Sequence, residues 1–176
     1  MRSLLHIDPG DLTFTEEAGF HRTTIDVMAI TFGDNGVPID QIGRTYQIKL
    51  SEDDYKRIMR QGLVYSLTVP VKKPGAYQLR VSLRDSASDR VGSASQFIDA
   101  PDIKKKHLAL SGLVVRGQTA NQSVNAAMAT QSEGREEGDA ETSAAVRHFK
   151  AGNVMTYAFY AYNAKLDTTS HPQLMR

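Results

Sequence analysis

The sequence predicts an all-β chain: an antiparallel β-sandwich with one short helix over residues 1–103, then a disordered insert and an incomplete second β module. Three observations carry this. Short runs of alternating apolar and polar residues recur between Gly, Pro, Asn and Asp punctuation; in Tyr77–Arg84, Tyr77, Leu79, Val81 and Leu83 interleave with Gln78, Arg80, Ser82 and Arg84. Only Ser51–Gly62 carries helix start and stop signals. Residues 118–143 contain no aromatic residue, and Val124 and Met128 are their only large apolar side chains. Such a segment cannot offset the roughly 1–2 kcal/mol per residue cost of ordering its backbone.

The elements follow in chain order. Leu4–Ile7 and Leu12–Thr15 flank Asp8-Pro9-Gly10 and read as one edge strand interrupted by a bend. In Thr24–Phe32, Ile25, Val27 and Ala29 oppose Met28, Ile30 and Phe32, which fits a central strand buried on both faces, or on one face with the other capped by loops. Asn35-Gly36 tolerates the positive φ values of a type I′ turn and signals a hairpin. Thr45–Leu50 then alternates, with Tyr46, Ile48 and Leu50 inward. Ser51 opens a capping-box-like S-E-D-D in which Asp54 replaces the usual Glu, and Glu52, Asp53 and Asp54 suit the positive end of a helix dipole. Tyr55, Ile58 and Met59 form the apolar face, and Gly62 is the stop. Leu63–Val69 and Tyr77–Arg84 are strands on either side of a Lys72-Lys73-Pro74-Gly75 turn; Asp85–Asp89 is a hairpin loop, and Arg90–Ile98 returns as a small-residue strand.

Charge divides the rest. Residues 104–117 are a basic linker (Lys104, Lys105, Lys106, Arg116) and the first strand of the second module. Residues 118–143 are the insert, and 144–176 continue the truncated module. Leu108–Val115 and Val154–Tyr162 should pair as neighbours, because loop-closure cost rises only slowly with the length of the intervening chain.

Composition excludes several classes. Of 176 residues 40% are apolar, enough for the core of one domain. Lys and Arg number 21 against 20 Asp and Glu, and a net charge of +1 gives no steering toward nucleic acid. The absence of cysteine excludes disulfides, thiolate catalysis and Cys-based zinc sites. No apolar run reaches the ~18 residues of a membrane span, and MRSLLHIDPGD lacks a signal-peptide core. The expected location is therefore cytoplasmic, or periplasmic or extracellular if the chain is a piece of a longer exported one.

Candidate chemistry is sparse. His6 and Asp8 share a strand face and form a metal set only if His21 converges on them; His107, His148 and His171 are scattered, and all five histidines read as surface residues. Asp34, Asn35 and Asp40 suggest a calcium loop but lack the EF-hand pattern, and turn chemistry accounts for them. Glu52–Asp54 reads as a helix start, and Lys104–Lys106 as a solvated linker rather than a phosphate or lipid contact. Tyr157, Phe159, Tyr160 and Tyr162 are a possible binding surface, either as a stacking platform for sugars or as core of the second module. No G-x-S-x-G, Walker loop or G-x-G-x-x-G occurs.

Pro74-Gly75-Ala76-Tyr77 resembles the tyrosine corner of immunoglobulin-like and fibronectin-III-like domains, which implies that the Tyr77 hydroxyl bonds to backbone. DLTFTEE (Asp11–Glu17), ITFGDNG (Ile30–Gly36), GLVYSLTVPVKKPGAYQLRVSLRD (Gly62–Asp85), VGSASQFIDAPD (Val91–Asp102), KKKHLALSGLVV (Lys104–Val115) and VRHFKAGNVMTYAFYAYNAKLD (Val146–Asp167) together resemble the C-terminal β-sandwich region of bacterial, acidobacterial-type VWFA-related-domain proteins. The resemblance implies an exported multidomain parent in which an A domain precedes these modules. The A domain itself is not in this chain: Asp85-Ser86-Ala87-Ser88-Asp89 has the wrong spacing for its Asp-x-Ser-x-Ser metal site. The reading is a non-enzymatic structural or protein-interaction module without cofactor or metal, whose partners are proteins or neighbouring domains. A carbohydrate-binding module using Tyr157–Tyr162 is the alternative.

Overall fold

β1 (Arg2–Ile7) ends at a 3₁₀ turn over Pro9–Asp11, and β2 (Thr15–Glu17) follows. A computed structural model provides this description, which extends to residues 1–118, 134–135, 140, 143–169 and 171–173. Asp8 caps the turn by accepting from the Gly10 N–H, Pro9 supplies the fixed φ at its start, and Leu12 turns inward and is buried. The strands on either side belong to different sheets. Leu4–Ile7 and Leu12–Thr15 are thus not one bent edge strand: the proline turn carries the chain from one layer to the other.

β2 and β3 (Phe20–Gly33) are joined by Ala18 and Gly19 at φ 49° and 74°, a two-residue turn with both centres left-handed. β3 pairs on its other side with β4 (Pro38–Leu50) through a second hairpin. There the expected type I′ turn at Asn35-Gly36 is replaced: Asn35 does not have positive φ, the Gly36 N–H donates to the Gly33 carbonyl, and only Gly36 (φ 74°) is left-handed. That is the signature of a four-residue turn followed by a glycine bulge, held by the Asn35 Oδ1 accepting from Val37 N.

Helix α1 (Glu52–Gln61) forms where Ser51 Oγ accepts from Asp54 N, and it stops at Gly62, whose N–H still donates to the Ile58 carbonyl while its φ of 84° turns the chain out of the helix. Ile58 is buried and Tyr55 partly so, whereas Met59 faces out. β5 (Leu63–Thr68), β6 (Gly75–Asp85) and β7 (Val91–Ala100) complete the first unit. One sheet runs β4-β3-β6-β7, with β2 continuing along β3 beyond the end of β6; the other pairs β1 with β5.

The two sheets sandwich one core. Ile25, Val27, Ala29, Leu79 and Val81 from the large sheet meet Leu63, Tyr65, Leu67 and Val69 from the β5 segment, with Ile58 of α1 sealing one end. β3 is therefore buried on its odd-numbered face only; on the other, Met28 lies exposed. Asp85 is fully buried at the junction of β2, β3 and β6, where its Oδ2 accepts from Thr13 N, Ser88 N and Ser88 Oγ.

Beyond residue 103 the chain forms β8 (Ala109–Leu110), β9 (Val114–Gln118), β10 (Gly134–Arg135), β11 (Val154–Ala158) and β12 (Ala161–Tyr162). β9 pairs β11 and β8 pairs β12, the two pairings running end to end with a one-residue offset, so Leu108–Val115 and Val154–Tyr162 do share a ribbon. At the offset Ser111 N donates to the Tyr160 carbonyl while Ser111 Oγ accepts from Tyr160 N. β10 returns to the first unit and pairs with β5. Of the stretch expected to be a disordered insert, 119–133, 136–139 and 141–142 lie outside the described residues, as do Val124 and Met128.

Candidate interaction surfaces

The ribbon is where exposed apolar surface concentrates. A two-stranded unit can bury little by itself, and this one leaves Leu108, Leu110, Met155, Tyr157, Phe159 and Tyr160 largely open to solvent. The β9–β11 register places Tyr157 opposite Val115 and Met155 opposite Gly117, so these four share one face. Tyr157 is 65% exposed. Tyr160 and Tyr162 have ring centroids 6.4 Å apart with planes tilted by 32°, two separate apolar surfaces rather than one flat platform. The basic run is tied to this ribbon: Asn163 Nδ2 donates to the carbonyls of Ile103 (2.8 Å) and His107 (3.0 Å), bracketing Lys104, Lys105 and Lys106, while Asp102 Oδ1 accepts from Lys104 N.

The histidine set separates. His21 Nε2 lies 2.6 Å from Glu52 Oε2 and its ring stacks on Tyr55 at 3.8 Å, bolting α1 to β3. The His21 contact first, and Lys56 second, hold the Glu52 carboxyl below its ordinary range, so Glu52 acts in packing as well as at the helix start. His6 and Asp8 instead line a cavity of about 330 Å³ with Met59, Arg60, Val146 and His148. His6 packs so closely on Gly62 that a Cβ there would stand 2.0 Å from its Nε2. Among the described residues no group of three or more His, Asp or Glu is arranged to hold a metal. His171 N donates to Asp167 Oδ1 in a local turn.

The calcium-loop candidates also separate. Asp34 is exposed and Asn35 is spent on its own turn, while Asp40 pairs with Lys72 Nζ at 2.7 Å. That lysine's hydrogen bond is the main cause holding the Asp40 carboxyl below its ordinary value. Tyr77 is 6% exposed and its hydroxyl donates to the Lys73 carbonyl at 2.6 Å, closing the turn that precedes β6. Asp85, in the serine-bearing loop, is pushed up by burial as the largest single influence, but the bonds from Ser88 and Thr13 together leave its carboxyl below the usual value.

One surface escaped the sequence reading. Among the described residues β7 pairs only with β6, and both its faces are exposed from Val91 to Phe97. The signal was present as a run without charge or proline from Val91 to Ile98. Comparison of the chain with family models, curated proteins and solved structures finds no match. Among the described residues no helix is long and apolar enough to cross a membrane.

Proposed function

We propose that the chain is a non-enzymatic β-sandwich-like module whose business is protein contact, with neighbouring domains of an exported multidomain protein or with a separate protein partner. The observation that carries this reading is the ribbon: an ordered strand pair whose Met155, Tyr157, Phe159 and Tyr160 remain exposed although a β unit of this size needs further cover to be stable. Aromatic and methionine side chains are the residues enriched where proteins bind one another. In the sandwich, the buried carboxylate of Asp85 is spent on anchoring a loop rather than poised in a cleft.

The carbohydrate reading uses the same tyrosines and is separable by experiment. The intact chain and a Tyr157→Ser/Tyr160→Ser variant are run by affinity electrophoresis through gels containing polysaccharides, and both are used to retain exported bacterial proteins. Protein retention lost in the variant, with no polysaccharide retardation, is the expected result. Retardation by a polysaccharide that the double substitution removes, without protein retention, would overturn the reading in favour of a sugar-binding module.

A further inference from the structure

We propose that β7 is a homotypic docking edge, pairing antiparallel with β7 of a second copy about a two-fold axis at Ala94, so that two large sheets become one continuous sheet. This deepens the interaction reading by naming a second surface and its partner.

The backbone parity is set by one bond. Asp85 N donates to the Arg90 carbonyl, which makes Asp85 and Arg90 a hydrogen-bonded pair of the β6–β7 ladder. With the register Leu83↔Gly92, Val81↔Ala94, Leu79↔Gln96 and Tyr77↔Ile98, the even-numbered residues of β7 turn their N–H and C=O groups to β6. Val91, Ser93, Ser95, Phe97 and Asp99 therefore turn theirs to the open side. An open edge is a template for another strand, and proteins that avoid pairing guard it with charge or proline. β4, at the opposite side of the sheet, carries Pro38, Asp40, Arg44 and Lys49. β7 carries no such guard between Val91 and Ile98.

The sequence of the edge argues for a second copy as occupant. Opposed residues in an antiparallel ladder must both face each other or both face away, so a two-fold between identical strands has to be centred on a residue. Centred on Ala94, it sets Ser93 against Ser95 and Val91 against Phe97 of the other copy, at both ends and on one face. Val91 and Phe97, 67% and 81% exposed, are the apolar side chains most open to solvent on this sheet, and each becomes the other's cross-strand partner. Centred on Ser95 instead, Val91 meets Asp99 and Phe97 meets only Ser93. No like charges meet within the paired segment. Asp99 meets Asp89 of the other copy just beyond it, and Arg84 Nη1 lies 3.4 Å from Asp89. Pairing through one strand is small by the standards of stable interfaces, so the dimer is of the weak, concentration-dependent class.

The chain has no cysteine, which allows a direct test. At the two-fold, Ala94 is a non-hydrogen-bonded pair with its own copy, where Cα atoms stand about 4.5 Å apart, within disulfide reach. Full-length Ala94→Cys should oxidise to a covalent dimer much faster than Ser95→Cys, whose own copy lies a diagonal step away. Sedimentation of the uncrosslinked chain should show a monomer–dimer equilibrium that Ser95→Pro weakens about tenfold or more, since two edge donors are lost per dimer. Proline is tolerated there because that N–H faces away from β6; an unchanged circular dichroism spectrum verifies folding, and Ser93→Lys/Ser95→Lys serves as a second variant. A chain that stays monomeric, or equal oxidation of both cysteine variants, overturns the proposal. Association abolished by Tyr157→Ser/Tyr160→Ser but untouched by Ser95→Pro overturns it too, while leaving the interaction reading standing.

Discussion

Replacing Asp85 tests whether the lead into β2 and the β6–β7 hairpin are tied to the large sheet as described. The side chain is 0% exposed, and its Oδ2 accepts from Thr13 N at 3.2 Å, Ser88 N at 3.1 Å and Ser88 Oγ. Thr13 leads into β2, Ser88 belongs to the β6–β7 hairpin, and the adjoining Ser86 N donates to the Thr24 carbonyl of β3. Asp85→Ala strips three donors of their acceptor. Hydrogen bonds to a charged group are worth about 1.5–3 kcal/mol each, but Thr13 and Ser88 are exposed residues that regain water, and loss of the carboxylate also removes its own desolvation cost. The net expectation is about 2–4 kcal/mol of lost stability, and about 1–2 kcal/mol for Asp85→Asn, which keeps one acceptor. Urea denaturation at pH 7 with an unchanged m-value measures it. The sign with pH follows from a folded carboxyl held below its ordinary value of 3.8. Its stabilisation is full above that value and is lost as pH falls through the lower folded one, so the gap between wild type and Asp85→Ala narrows in acid. A change under about 0.5 kcal/mol at pH 7, or a gap that widens in acid, would refute the reasoning.

Three further outcomes follow from single positions. Tyr77→Phe should lose about 0.5–1.5 kcal/mol with the bond to the Lys73 carbonyl, and Tyr77→Ala about 3–5 kcal/mol because the ring is buried; equal small losses in thermal unfolding would show that neither matters. Gly62→Ala should cost more than the roughly 1–3 kcal/mol of forcing alanine into a glycine-only conformation (φ 84°, ψ 173°), because its Cβ also meets His6, and a His6→Ala background should return the excess in a double-mutant cycle. Ala18→Asn should raise stability by about 0.5–1 kcal/mol, since alanine sits at φ 49° in a turn that favours asparagine; a lower melting temperature would contradict the turn assignment.

The strands and α1 were legible because their signals are local: alternation in Tyr77–Arg84, a serine cap and a glycine stop around the helix. Turn type was less so. Asn35-Gly36 has the composition of a type I′ turn, yet the left-handed pair sits at Ala18-Gly19, because hairpin geometry is set by how the flanking strands register and not by two residues alone. The change of sheet between β1 and β2 was hidden for a related reason: Leu12 looks like a strand residue whichever layer its neighbours join. His6, Asp8 and His21 were candidates by residue type, but convergence is a property of the fold, which places His21 on Tyr55 and His6 against Gly62. Tyr157–Tyr162 was visible as an aromatic cluster, but how far each ring stays exposed among the described residues is set by the fold.

Hydroxyl-radical footprinting of the intact chain tests the interaction reading most directly, since it reports on Met155, Tyr157, Phe159 and Tyr160 individually. The chain alone should be heavily oxidised at these positions, consistent with their exposure. Adding an exported-protein fraction should protect them while leaving the buried Tyr77 and Tyr65 at their low initial level. Oxidation unchanged by protein but suppressed by a polysaccharide would contradict the account.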